Sequence, residues 1–131
     1  MDGNEILFSD KVFVLYSQVA LFDAENRNSY PQWKAGYEII VFSLQGVAVV
    51  TVSDEQVDVI VCKGKVIPKY ALCVSGEILV GEQGVLVGNI PAATVTQIPL
   101  ESGRYSVVVF TDGVGIATHQ VYFFLDRIDQ K

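Results

Sequence analysis

Histidine, cysteine, paired carboxylates and activated hydroxyls carry most side-chain chemistry at neutral pH. This sequence has one histidine, His119, and two cysteines, Cys62 and Cys73. A zinc site needs about four ligands, and cysteine ligands usually come as closely spaced pairs. No C-x-x-C pair is present, so a metal site would have to be gathered from three distant residues, and none is expected. His119 reads as a residue that opens a strand and hydrogen-bonds locally. Serine and threonine are plentiful, but no G-x-S-x-G elbow presents one as a nucleophile. Gly113-Val114-Gly115 is a lone G-x-G followed by a strand pattern, so it lacks the helix N-terminus that holds phosphate.

Carboxylates are the remaining candidates. Asp54, Glu55 and Asp58 lie close together, and Glu77 and Glu82 follow. A glycosidase-type hydrolase needs two carboxylates across a cleft, and Asp58 with Glu77 is the pair to test. Carboxylates in turns are more often simply solvated. Their better functional use is as an acidic binding face formed by Asp23, Glu25, Asp54, Glu55, Asp58 and Glu82. Tyr30, Trp33 and Tyr37 form an aromatic group that could anchor a protein partner, since Trp and Tyr dominate interface energetics. They could equally stack on a sugar or plug one end of a β-sandwich. No catalytic residue and no cofactor is expected.

The elements that must position these residues are strands. Of the 131 residues, half are hydrophobic and 18% are charged, which argues against disorder. Val, Ile, Phe and Tyr alternate with polar residues at period two, and Gly, Asp and Ser punctuate the runs. Val12 to Phe22 reads as one long strand with both faces apolar, either central or passing between two layers. Such two-sided apolarity also fits a homodimer interface. Further strands are expected at Tyr37–Leu44 and Val47–Val52, joined around Gln45-Gly46. Others follow at Val57–Val61, with alternate valines inward, and at Tyr70–Val80 and Val85–Val87. The last three are Thr94–Leu100, Tyr105–Phe110 and His119–Leu125. Pro91 and Pro99 put Thr94–Leu100 at a sheet edge or mark the ends of that strand. No segment has sustained helical periodicity. The expected fold is all-β, a single-domain antiparallel β-sandwich or flattened barrel of about eight to nine strands over residues 1–131.

The formal net charge is −6. Phosphate backbones repel such a chain, so direct nucleic-acid binding is not expected. A basic protein partner suits the charge, although acidity also serves solubility. Ile39 to Ser53 is uncharged but shorter than the ~20 apolar residues of a membrane span, so no membrane partner is expected. The acidic start, Met1-Asp2-Gly3-Asn4-Glu5, lacks the basic region of a signal peptide. A cytoplasmic location follows as the expectation, with both cysteines reduced unless their strands are neighbours.

Two stretches carry a resemblance. One is Leu15-Tyr16-Ser17-Gln18-Val19-Ala20-Leu21-Phe22-Asp23, followed by Trp33 and Gly36-Tyr37. The other is Ile98-Pro99-Leu100-Glu101-Ser102-Gly103-Arg104-Tyr105-Ser106-Val107. With their order and spacing, from about Val14 to Phe124, the chain resembles the competence protein J family. Its best-known member inhibits the nuclease of DNA uptake in competent bacteria. The resemblance implies a bacterial cytoplasmic protein that silences a partner nuclease or similar toxin by occluding its active site. It carries no catalytic motif. A carboxylate-rich face competing with DNA phosphate would agree with the acidic composition. A β-sandwich module binding a small ligand or carbohydrate near Trp33 is the alternative, and a carboxylate hydrolase is a third.

Overall fold

The computed structural model describes residues 5–15, 17–26, 39–64, 72–89 and 95–128. Tyr30, Trp33 and Tyr37 lie outside these residues. Ten strands are present among them: β1 (Glu5–Val14), β2 (Gln18–Asp23), β3 (Ile40–Ser43), β4 (Gly46–Val50), β5 (Glu55–Lys63), β6 (Leu72–Val80), β7 (Val85–Asn89), β8 (Val95–Ile98), β9 (Gly103–Thr111) and β10 (Gln120–Arg127). The single helical element described is a 3₁₀ turn, Gly115–Ala117. The strands form two five-stranded sheets, in the orders β1-β5-β10-β9-β6 and β3-β4-β2-β7-β8. The expected all-β sandwich is the observed fold.

The core follows from the alternation. Val57, Val59 and Val61 of β5, Tyr105, Val107 and Val109 of β9, and Val121, Phe123 and Leu125 of β10 point inward and are fully buried. They meet Val19 and Leu21 of β2, Val47 and Val49 of β4, and Val85 and Val87 of β7. Fully burying one valine or leucine contributes about 1.5–3 kcal/mol. The other face of β2 is buried as well: Ala20 and Phe22 form a second buried cluster with their cross-strand neighbours Ala48 and Leu86.

The expected strand Val12–Phe22 is in fact two strands in different sheets. Ser17 has φ +59°, which turns the chain between them. The break is held by the Leu15 amide, which donates to Asn89 Oδ1 at 3.1 Å, and by the Thr51 amide, which donates to the Ser17 carbonyl at 2.9 Å. The inward positions change from even (Val12, Val14) to odd (Val19, Leu21) across it. Apolar residues on both sides of the break conceal that change of phase. This split raises the expected eight or nine strands to ten.

Ser43 pairs with Gly46, so the β3–β4 turn is Leu44-Gln45 rather than Gln45-Gly46. Gly46 is glycine because a Cβ there would lie 2.7 Å from that of Phe22. The sandwich is also not wholly antiparallel, because β10 pairs in parallel with β5. Geometry requires this. β10 is inserted between β5 and β9, which run in opposite directions, and it is antiparallel to its hairpin partner β9.

The two lateral sides of the sandwich differ. On one side the sheets are pinned together: the Leu79 amide of β6 donates to the Leu44 carbonyl beside β3 at 2.9 Å. There the Phe42 ring lies where a Cβ on Gly76 would be, within 2.7 Å. On the other side edge strands β1 and β8 border a groove.

Candidate functional site

The six carboxylates singled out in sequence fall into two groups. Asp23 ends β2 and is only 2% exposed. Its Oδ1 accepts the Gly81 amide at 3.0 Å and its Oδ2 accepts Gln45 Nε2 at 2.9 Å. It therefore ties the β3–β4 turn to the β6–β7 turn and is not turned toward a partner. Glu25 Oε2 accepts the backbone amides of Glu82 and Gln83, the latter at 3.2 Å. Its carboxylate sits on Gly81, where any Cβ would collide with it. Asp23 and Glu25 together hold the β6–β7 turn, and that turn carries Glu82 with its side chain in solvent.

Asp54 and Glu55 stand near the other end of β2, about 17 Å away along that strand, and Asp58 lies further along β5, opposite Lys11. Asp54 has φ +62°, and its amide donates to the Val14 carbonyl at 2.7 Å. Glu55 Oε1 is 3.6 Å from His119 Nε2, with both side chains about half exposed. His119 Nδ1 lies 3.1 Å from the Ala117 carbonyl, and the residue stands just before β10. Asp58 pairs with Lys11 at 2.7 Å. The six residues thus do not share one face.

The groove between β1 and β8 has a volume of about 780 Å³. Among the described residues, its apolar lining is Leu7, Pro99 and Leu100, its carboxylates are Glu5, Glu82 and Glu101, and its cation is Lys63. Leu7 is an extra residue on β1: Ile6 pairs with Cys62 and Phe8 with Val61, which makes Leu7 a β-bulge. Bulges re-aim side chains at sheet edges, and Leu7 packs with Leu100 against the core. The opposite wall is fixed by three hydrogen bonds. The Tyr105 hydroxyl donates to the Glu101 carbonyl at 2.8 Å, Gln97 Nε2 to the Gln83 carbonyl at 2.7 Å, and Arg127 Nη2 to the Ser102 carbonyl at 3.0 Å. Of the three groove carboxylates, Glu82 is marked out by the sequence as a turn carboxylate, and Glu5 and Glu101 are not. They lie far apart in the chain, and only the two edges bring them together.

The groups considered for catalysis are dispersed. Asp58 on β5 and Glu77 on β6 are separated by β10 and β9 and offset by six residues in register. That places them about 25 Å apart by strand geometry, well beyond the ~5–9.5 Å of paired glycosidase carboxylates. Cys62 and Cys73 stand on the same two strands, about 14 Å apart across the sheet, too far for a disulfide. Cys62 is buried, and burial pushes its thiol above the ordinary value. Among the described residues, no group of three His, Cys, Asp or Glu side chains is gathered for a metal ion. No helix there is long and apolar enough to cross a membrane.

No known family model matches this chain, and no curated protein matches it in sequence. Solved structures do match. ComJ, described as the inhibitor of the DNA degrading activity of NucA, from Bacillus subtilis, superposes with a TM-score of 0.74 at 12% identity, over 95% of this chain and 98% of its own. The protein described as crocagin biosynthetic gene J gives a TM-score of 0.62 at 11% identity, over 97% and 99%. The resemblance read from the sequence therefore holds at the level of the whole fold: from end to end, the chain is similar in architecture to ComJ.

Proposed function

We propose that this protein is a non-catalytic inhibitor that binds a partner nuclease and covers its DNA cleft. The observation that carries the reading is the likeness to ComJ along nearly the full length of both chains. Fold alone does not determine function, so the surface chemistry must agree with it. The net charge of −6 suits a basic DNA-binding cleft, where carboxylates take the place of phosphate. Of the carboxylates named from the sequence, Glu25, Asp54, Glu55 and Glu82 are exposed and Asp58 is partly so, while the buried Asp23 is withdrawn from the binding role. Such an inhibitor works in the bacterial cytoplasm against a basic enzyme.

The test is a titration of purified protein into a DNA-uptake-type nuclease from the same source, following digestion of duplex DNA at low and moderate salt. Stoichiometric loss of cleavage, with slower association as salt rises, is the expected outcome. Unchanged cleavage with no complex on gel filtration would overturn the reading.

A further inference from the structure

We propose that the groove between β1 and β8 is where the partner docks, and that its occupant is an extended, basic segment of the partner protein. This rests on the inhibitor reading for the partner's identity, but the groove itself stands on four observations. β1 and β8 each end a sheet, so the backbone groups on their outer sides face no further strand among the described residues. Such edges accept an added strand, and main-chain hydrogen bonds supply the affinity. The lining offers Leu7, Pro99 and Leu100 to alternate apolar side chains. Among the described residues its charge is three carboxylates, Glu5, Glu82 and Glu101, the last also 3.5 Å from the Arg127 guanidinium, to the one ammonium of Lys63. Lysine or arginine at the remaining positions of an extended segment would meet them. Finally, the β8 wall is held by the Tyr105, Gln97 and Arg127 hydrogen bonds, so little ordering is lost on binding.

A second copy of this chain suits the groove poorly, because its acidic rim would face an identical rim. Nucleic acid is excluded by the same charge. The segment docks as a strand beside β1, with its cationic side chains toward Glu5, Glu82 and Glu101.

The experiment compares the wild-type protein with Glu5→Lys, Glu82→Lys and the charge-matched Glu77→Lys, which lies on the outer face of β6 away from the groove. Each is assayed for affinity to the nuclease and to a short synthetic peptide of alternating Lys and Val, with thermal unfolding as the check on folding. Each groove reversal should weaken both complexes by about tenfold, and Glu77→Lys by no more than about twofold. If the nuclease is inhibited but all three reversals act alike, the groove is overturned and the inhibitor reading stands. If the nuclease is untouched but the peptide binds with the groove pattern, the inhibitor reading falls and the groove stands. If neither complex forms, both fall.

Discussion

The hydroxyl of Tyr105 donates to the carbonyl of Glu101 across 2.8 Å, from a residue that is itself wholly buried. Tyr105 is thus both a core side chain and the strut of the β8–β9 connection. Tyr105→Phe keeps the ring and removes the strut, leaving the Glu101 carbonyl without that donor. The expected loss is about 1–2 kcal/mol of stability, read from chemical denaturation.

Burial, with a further contribution from the Glu101 carboxylate, raises the Tyr105 phenol above its ordinary value, and the Arg127 guanidinium opposes this. Folding therefore favours the neutral phenol. Its stabilising contribution is complete below the ordinary tyrosine range near pH 10 and is lost as pH climbs through the raised value. Unfolding midpoints should fall on the alkaline side of pH 10, and Tyr105→Phe should flatten that decline. An unchanged alkaline limb in the variant would contradict the assignment.

Asp23 shows what a buried carboxylate does between two turns. Asp23→Ala strands the Gly81 amide and the Gln45 side-chain amide, each of which donates to it. A loss of about 2–4 kcal/mol is expected, visible as a lower unfolding midpoint. A variant as stable as the wild type would show that the clasp contributes little.

Gly84 has φ +79°, and a Cβ there would fall 2.1 Å from the Ile98 carbonyl oxygen. The obstacle is backbone, which cannot step aside as a side-chain end can. Gly84→Ala combines left-handed strain with that collision and should cost about 2–4 kcal/mol. The β6–β7 turn would be pushed from β8, so hydrogen exchange should quicken at Gln97 and Ile98. Wild-type exchange at those amides would refute the coupling.

Lys11 and Asp58 present the opposite case. They meet at 2.7 Å on the sheet surface, but the lysine side chain is 64% exposed. Solvent screens such pairs, and Lys11→Met should change stability by no more than about 1 kcal/mol. A larger loss in denaturant titrations would mean that the edge strand depends on this bridge.

Period-two alternation is enough to determine most of the strands, because a half-buried strand writes its inward face into the sequence: Val57, Val59 and Val61 are legible as buried from their spacing alone. The prolines around Thr94–Leu100 mark either an edge strand or strand ends, and the sheet order makes β8 an edge. The full-length likeness to the ComJ fold is legible in the order of its strands and turns. Alternation reports which face a residue takes but not which strand lies beside it. It therefore cannot reveal the crossing at Ser17, where the chain passes from one sheet to the other while apolar residues continue on both sides. Nor can it place β10 between β5 and β9, which separates Cys62 from Cys73 and Asp58 from Glu77. Asp23 and Glu82 look alike as turn carboxylates. Only the packing of two turns against β2 makes one a buried clasp and leaves the other in solvent. Glu5, Glu82 and Glu101 become neighbours by the same logic: strand pairing across the sheets, a long-range property, sets two edges side by side, and no local pattern in the chain records which edges those are.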